Sequence, residues 1–197
     1  AVAAMTAVRN AKKLYLQTAR HPSVKWILDE RLPYESMDVL YEQARSFAAL
    51  NAAIADKLTA GAVDAVFAVP GRGIGSSMGM ELSKTAAQKG VELAFLPGNG
   101  YAEAALAALP GAFFGDYRII EASSLPRPLD PYVALCVEEI DTPLRAQQVK
   151  LALAEYYPDE YNIFFSHMAE DGAYQVLSLP LYELDRQSAG DYFAATT

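Results

Sequence analysis

The hydrophobic pattern alternates between short continuous apolar runs and longer stretches with helical spacing. Alanine-rich residues 1–13 have the composition of a helix tail, and Leu14-Tyr15-Leu16 opens a short strand candidate over 14–18. His21-Pro22 breaks it, and Pro22 suits the first turn of a helix through Glu30 with Val24, Ile27 and Leu28 on its apolar face and Trp26 on its flank. The strongest helical pattern follows. Leu40, Ala44, Phe47, Asn51, Ile54 and Leu58 recur in steps of four and three. They predict one amphipathic helix with Ser36 as N-cap, Asp38 in its first turn and Gly61 at C′. Val63, Val66, Phe67 and Val69 form an apolar run with little alternation, which predicts a strand covered on both faces of a parallel sheet. The glycine-rich turn from Pro70 to Gly75 ends it. Ser76 and Ser77 offer N-cap side chains for a helix to about Lys89, with Gly90 at C′. Residues 91–96, VELAFL, predict a further strand, stopped by Pro97-Gly98-Asn99-Gly100, and Asn99 is placed to cap an alanine-rich helix over 101–109.

The second half has a different rhythm. Strands are predicted over 118–122 and 132–137, separated by a proline-rich stretch, 125–131. Thr142-Pro143 reads as an N-cap followed by proline at N1 of a helix through Tyr156, and Pro158 stops it. Strands over 161–168 and 174–179 flank a segment containing Asp171-Gly172, the signature of a hairpin. Residues 181–186 make a last helical turn. The alternation of strand and helix in the first half argues a parallel sheet with right-handed crossovers; the hairpin makes the second sheet mixed. The fold class is therefore α/β with two subdomains, 1–97 and 98–197.

Composition narrows the classes of function. The 197 residues are 52% hydrophobic and 20% charged, with a net charge of −8, which is a soluble globular composition without a basic stripe. An acidic surface repels phosphate backbones and anionic lipid, so neither nucleic acid nor membrane is an expected partner. No apolar stretch reaches the length of a membrane span and no signal-peptide pattern opens the chain. The single cysteine, Cys136, excludes an internal disulfide and fits a reducing compartment, so a cytoplasmic location is expected.

Candidate chemistry is sparse. His21 and His167 lack companions at ligand spacing, so no metal site is expected. Neither a nucleophile elbow nor a Gly-Lys-Ser/Thr phosphate loop is present. Glu138, Glu139 and Asp141 fall at the end of a predicted strand, where either a ligand contact or a solvated acidic loop is expected. His167, at another strand end, reads as a packing residue. Two glycine-containing strand ends, at 70–75 and 97–100, join the acidic one as candidate walls of a cleft between the subdomains. Lined more by backbone than by charged side chains, such a cleft suits a nucleoside-like ligand held for group transfer.

Several segments together carry a family resemblance: Tyr34-Glu35-Ser36-Met37-Asp38-Val39-Leu40-Tyr41-Glu42, the strand ending Ala68-Val69-Pro70-Gly71, residues 149–159 with Tyr156-Tyr157-Pro158-Asp159, and the ending LPLYELDR at 179–186. In this order, with His21-Pro22 and Pro97-Gly98, the chain resembles the tetrapyrrole-methylase-like domain that precedes a MazG-type nucleoside triphosphate pyrophosphohydrolase domain in many bacterial proteins. The resemblance implies an S-adenosylmethionine-dependent methyltransferase of two α/β domains with the cofactor in the cleft between them, no metal, a small-molecule acceptor and a homodimer. It also implies a covalently linked MazG domain in the full-length protein. Carried over residue by residue, the cofactor contacts are Pro70, Gly71, Arg72 and Gly75, then Gly100 and Tyr101, then Cys136 and Val137, and a backbone contact near Met168 and Ala169.

The sequence departs from that family in three places. The family opens with a strand and a Gly-x-Gly-x-Gly-Asp loop; none precedes Leu14, so the resemblance places the start of this chain within the first helix. Arg72-Gly73 stands where the family has Asp-Pro or His-Pro. The last strand, after Asp191, is cut short. A catalytically degenerate ligand-binding or dimerisation domain of the same fold is therefore the alternative expectation. A dinucleotide oxidoreductase is a third, weakened by the lack of an acidic residue at the ribose position.

Overall fold

The computed structural model describes residues 2–61, 64–98, 100–109, 115–169, 173–188 and 195–196. Two compact units divide the chain, Ala1–Gly100 and Tyr101–Thr197.

In the first unit, strands β1 (Lys13–Leu16), β2 (Glu35–Ser36) and β3 (Ala65–Ala68) form a parallel sheet in the order β2-β1-β3. Alternation along β1 assigns its two faces. Leu14 and Leu16 pack with Val24 and Ile27 of α2 (Val24–Asp29) and with Val8 of α1 (Val2–Asn10). Tyr15 points the other way, into a cluster with Leu50, Ile54, Met78 and Leu82. These come from α4 (Phe47–Leu58) and α5 (Ser77–Lys89). β3 is divided likewise: Val66 and Ala68 join the first cluster and Phe67 the second. The strand is thus covered on both faces, although its side chains remain half-buried. Residues 62 and 63, the expected start of this strand, lie outside the described residues.

Five expectations are corrected in this unit. The single helix from Ser36 to Leu58 is two helices, α3 (Asp38–Gln43) and α4, because Ala44 turns extended (ψ 137°) and Ser46 opens a new cap, its Oγ accepting the Ala49 N–H at 3.2 Å. The break rotates the apolar stripe: Leu50, Ile54 and Ala55 are buried, whereas Phe47 is 52% exposed. α4 ends at Thr59, whose hydroxyl donates to the Ala55 carbonyl at 2.6 Å, so Gly61 is not its cap. Leu28, assigned to the buried face of α2, is 58% exposed. Finally, residues 91–98 follow α5 without forming a ladder with any described strand, and 91–96 are exposed. Ser36, expected as a cap, lies in β2 beside Leu16; its Oγ still accepts the Asp38 N–H at 3.2 Å.

In the second unit, β4 (Tyr117–Glu121), β5 (Ala134–Ile140), β6 (Asn162–Met168), β7 (Tyr174–Pro180) and β8 (Ala195–Thr196) form a mixed sheet, order β4-β5-β8-β6-β7. β4 and β5 are parallel; β6 and β7 form the expected antiparallel hairpin, with Ala169 N–H bonded to the Ala173 carbonyl at 2.8 Å. The hairpin tip, 170–172, lies outside the described residues. One face carries Val137 and Phe165 into a core with Ala146, Val149 and Leu153 of α7 (Pro143–Leu153). Thr142 caps α7 as expected, its Oγ1 accepting the Arg145 N–H at 3.1 Å, with Pro143 in the first turn. Helix α6 (Tyr101–Ala108) also belongs to this unit.

The ending LPLYELDR owes its pattern to packing. Residues 181–186 form a 3-10 helix that buries Leu181 and Leu184 in the core. Asp185 accepts from Lys150 Nζ of α7 at 2.6 Å, and the Arg186 guanidinium lies over the Tyr182 ring.

Candidate functional site

The turn between β3 and α5 is shaped by glycines. Gly71 and Gly75 have φ of 83° and 80°, the left-handed region that side chains other than glycine resist. Ser76 fixes the turn to the helix: its Oγ accepts the Gly79 N–H at 3.0 Å and donates to the Gly73 carbonyl at 3.0 Å. Gly79 is a residue that sequence reasoning missed. A Cβ there would lie 2.0 Å from the Gly73 carbonyl oxygen, so the first turn of α5 sits directly on the loop. The Phe95 ring covers Gly73, and Asn51 of α4 donates to Ser77 Oγ at 3.3 Å. Pro70, Gly71 and Arg72 are half-buried and Gly75 is exposed. The N-terminal end of the α5 dipole lies at this turn, with Gly79 N–H capped by Ser76. Gly100 is buried at the end of this unit.

In the second unit one carboxylate draws two of the expected residues together. Glu138 was placed after a strand ending at Val137, but β5 runs on to Ile140, and Glu138 is 4% exposed within it. Its Oε1 accepts the Ala102 N–H at 2.8 Å, which ties the start of α6, with Tyr101, to β5 next to Cys136 and Val137. An anion on the first turn of a helix matches its dipole. Asn99, the expected cap, lies outside the described residues. Glu139 takes φ of 64° where the β5–β8 register shifts. Through β8, Thr196 faces both Glu138 and Ser166, and the strand leads on to Met168, which pairs with Tyr174. Burial, then the Glu138 carboxylate, pushes the Tyr174 phenol up to about 12. Tyr101 precedes the Ala102 N–H that Glu138 holds, and Cys136 shares its face of β5 with Glu138, whereas Val137 faces the α7 core and Met168 and Ala169 lie at the C-terminal end of β6. A local sequence signal for the Glu138–Ala102 bond does not exist, since the partners are 36 positions apart.

The histidines have structural surroundings. His167 stacks on Phe165 with centroids 5.9 Å apart. His21 is buried beside Ser23, and burial holds its imidazole below the ordinary value. Among the described residues no group of three or more His, Cys, Asp or Glu is placed to hold a metal ion. No helix among them is long and apolar enough to cross a membrane.

No family model matches the sequence. Among curated proteins, the uncharacterized protein YabN of Bacillus subtilis is 27% identical over 185 residues, which is 91% of this chain; the chain spans 37% of that relative's length. Among solved structures, uroporphyrin-III C-methyltransferase from Thermus thermophilus matches all of this chain and 85% of its own, at a TM-score of 0.66 and 19% identity. The uroporphyrin-III C-methyltransferase of the same organism complexed with S-adenyl homocysteine matches all of this chain and 89% of its own, at a TM-score of 0.63 and 13% identity. With its parallel first sheet and mixed second sheet, the chain has the α/β fold of the tetrapyrrole methyltransferases.

Proposed function

We propose that this chain is an S-adenosylmethionine-dependent methyltransferase domain of tetrapyrrole-methylase type. The observation that carries the reading is fold agreement over the whole chain with an enzyme captured with the demethylated cofactor. The residues fit such a ligand. The turn at Pro70, Gly71, Arg72 and Gly75 offers backbone groups and close approach, which suit a nucleoside. The Arg72 guanidinium opposes the sulfonium but matches the carboxylate of the methionine moiety. Tyr101, Cys136, Val137, Met168 and Ala169, with Gly100, complete the set of contacts in this reading.

When bound, S-adenosylmethionine supplies an electrophilic methyl carbon. The chain's own contribution is to bind, align and exclude water; alignment of two bound reactants is a large part of such a rate enhancement. The acceptor is a small molecule, the protein a homodimer, and a MazG-type domain is linked to it in the full-length protein. The second reading, a degenerate ligand-binding domain of the same fold, is favoured by Arg72-Gly73 at the position where the family carries an acid or histidine followed by proline.

Calorimetry with S-adenosylmethionine, S-adenosylhomocysteine and NAD tests the proposal. Heat with the first two and none with NAD is expected. Binding without transfer to any tetrapyrrole or amine acceptor supports the degenerate reading. No heat with either sulfur compound, together with a thermal shift on adding NAD, overturns both.

A further inference from the structure

Glu138 and its neighbour carry two costs at one place in β5. Glu138 is a carboxylate buried within a strand, and burying such a group is unfavourable unless bonds compensate it. Beside it, Glu139 holds φ of 64°, a left-handed conformation that residues with side chains adopt at a cost. The second cost has a packing reason. Val137 and Ile140 both enter the α7 core although they are three positions apart, an odd interval that regular alternation forbids. Glu139 is the extra residue of a bulge, where the β5–β8 register shifts between Glu138 and Ile140. Ile140 thus returns to the core while Glu138 keeps to the opposite face with Cys136. Core packing explains the bulge, but it does not call for a carboxylate at 138.

The carboxylate acts on α6 and on its surroundings. Its Oε1 accepts the Ala102 N–H at 2.8 Å, in the first turn of α6 and next to Tyr101. Its charge is felt nearby: burial, then this carboxylate, pushes the Tyr174 phenol up to about 12.

In the proposed function Tyr101 and Cys136 touch the cofactor. One stands beside the bond that Glu138 makes, and the other is two positions from Glu138 on the same face of β5. S-adenosylmethionine carries a positive sulfonium, where S-adenosylhomocysteine has a neutral thioether. A carboxylate in a largely desolvated place attracts the first over several ångström and is indifferent to the charge-free second.

On the footing of the proposed function, we propose that Glu138 sets both the position and the charge preference of the cofactor site. Its carboxylate holds the start of α6, and with it Tyr101. Its negative charge makes the site favour S-adenosylmethionine over the demethylated product. Such a preference serves a transferase, because the spent cofactor lacks the charge that held its precursor.

Two substitutions separate the anchor from the charge, read by calorimetry of the full chain with each compound. Glu138→Gln keeps an acceptor oxygen and removes the charge. Affinity for S-adenosylmethionine is expected to fall about tenfold, and that for S-adenosylhomocysteine to change by less than about twofold. Glu138→Asp keeps the charge and shortens the reach to Ala102, so both affinities fall and their ratio is retained. Hydrogen exchange at the Ala102 amide reads the anchor, slow in Glu138→Gln and faster in Glu138→Asp. An equal fall for both compounds in Glu138→Gln, or no change for either, overturns the proposal. So does a ratio in Glu138→Asp that drops as far as the one expected for Glu138→Gln. Failure of the unsubstituted chain to bind either compound refutes the proposed function itself, and this role of Glu138 with it, before any substitution is made.

Discussion

The turn after β3 and the stretch of β5 around Glu138 are held in shape by different means. In the turn, backbone conformation does the work: two glycines at positive φ, a third packed against a carbonyl, and one serine hydroxyl joining loop to helix. Around Glu138 a buried carboxylate reaches across 36 positions to the first turn of α6, and burial followed by that carboxylate raises the pKa of the Tyr174 phenol. The charge of the two units differs in the same sense. Residues 1–100 carry 11 Lys and Arg against 9 Asp and Glu, and residues 101–197 carry 5 against 15. The first surface is thus made by local geometry and the second by long-range polar contact within an acidic unit. Substitutions should separate the two.

The largest effect is expected in the core beneath β5. Phe165 is fully buried among Val137, Val149 and Leu184, and Phe165→Ala should cost about 3–5 kcal/mol in urea unfolding. In the turn, Gly79→Ala places a methyl group against backbone that cannot swing aside, and should cost roughly 1–3 kcal/mol or more. Trp26, the only tryptophan, belongs to the first unit and reports its unfolding by fluorescence.

Glu138→Ala removes the acceptor of a buried N–H and should cost about 1–3 kcal/mol, whereas Glu138→Gln keeps an acceptor oxygen and should cost less. Both should lower the Tyr174 phenol pKa, read by ultraviolet titration, because the carboxylate that opposes its ionisation is gone. An unchanged Tyr174 titration in Glu138→Gln would break the electrostatic half of the comparison. Ser76→Ala should cost only about 1 kcal/mol, since it removes one cap.

The smallest effect is one of pH. Burial lowers the His21 pKa in the folded protein, so the unfolded chain takes up a proton first. Stability from this site is complete above the unfolded value of about 6.5 and declines as pH falls below it toward the folded value. His21→Gln should flatten that part of the stability profile, measured by urea midpoints.

Local signals in the sequence correspond to local structure. Ser76 and Thr142 cap their helices, Gly90 adopts the left-handed conformation that ends α5, and the hairpin of β6 and β7 forms where Asp171-Gly172 announced it. Each depends on residues within a few positions of one another. What needed distant partners was not legible. The run 91–96 has strand composition, but a strand also needs a neighbour, and no described strand pairs with it. Glu138 looked like a loop acid because its partner, Ala102, comes from another element. The regular spacing from Leu40 to Leu58 concealed a break, since Ser46 fits a helix surface as readily as it caps a new helix. Of the expected site residues of the second unit, Tyr101 and Cys136 lie beside the Glu138–Ala102 contact, while Val137 turns into the α7 core, a division that no local signal carries.

The most direct test of the central claim is amide chemical-shift mapping with S-adenosylhomocysteine. The proposed function predicts saturable shifts at Gly71, Gly75, Tyr101, Val137 and Ala169, with the β3–α5 turn among the most affected. Shifts confined to residues elsewhere, or no shifts at saturating ligand, would contradict it.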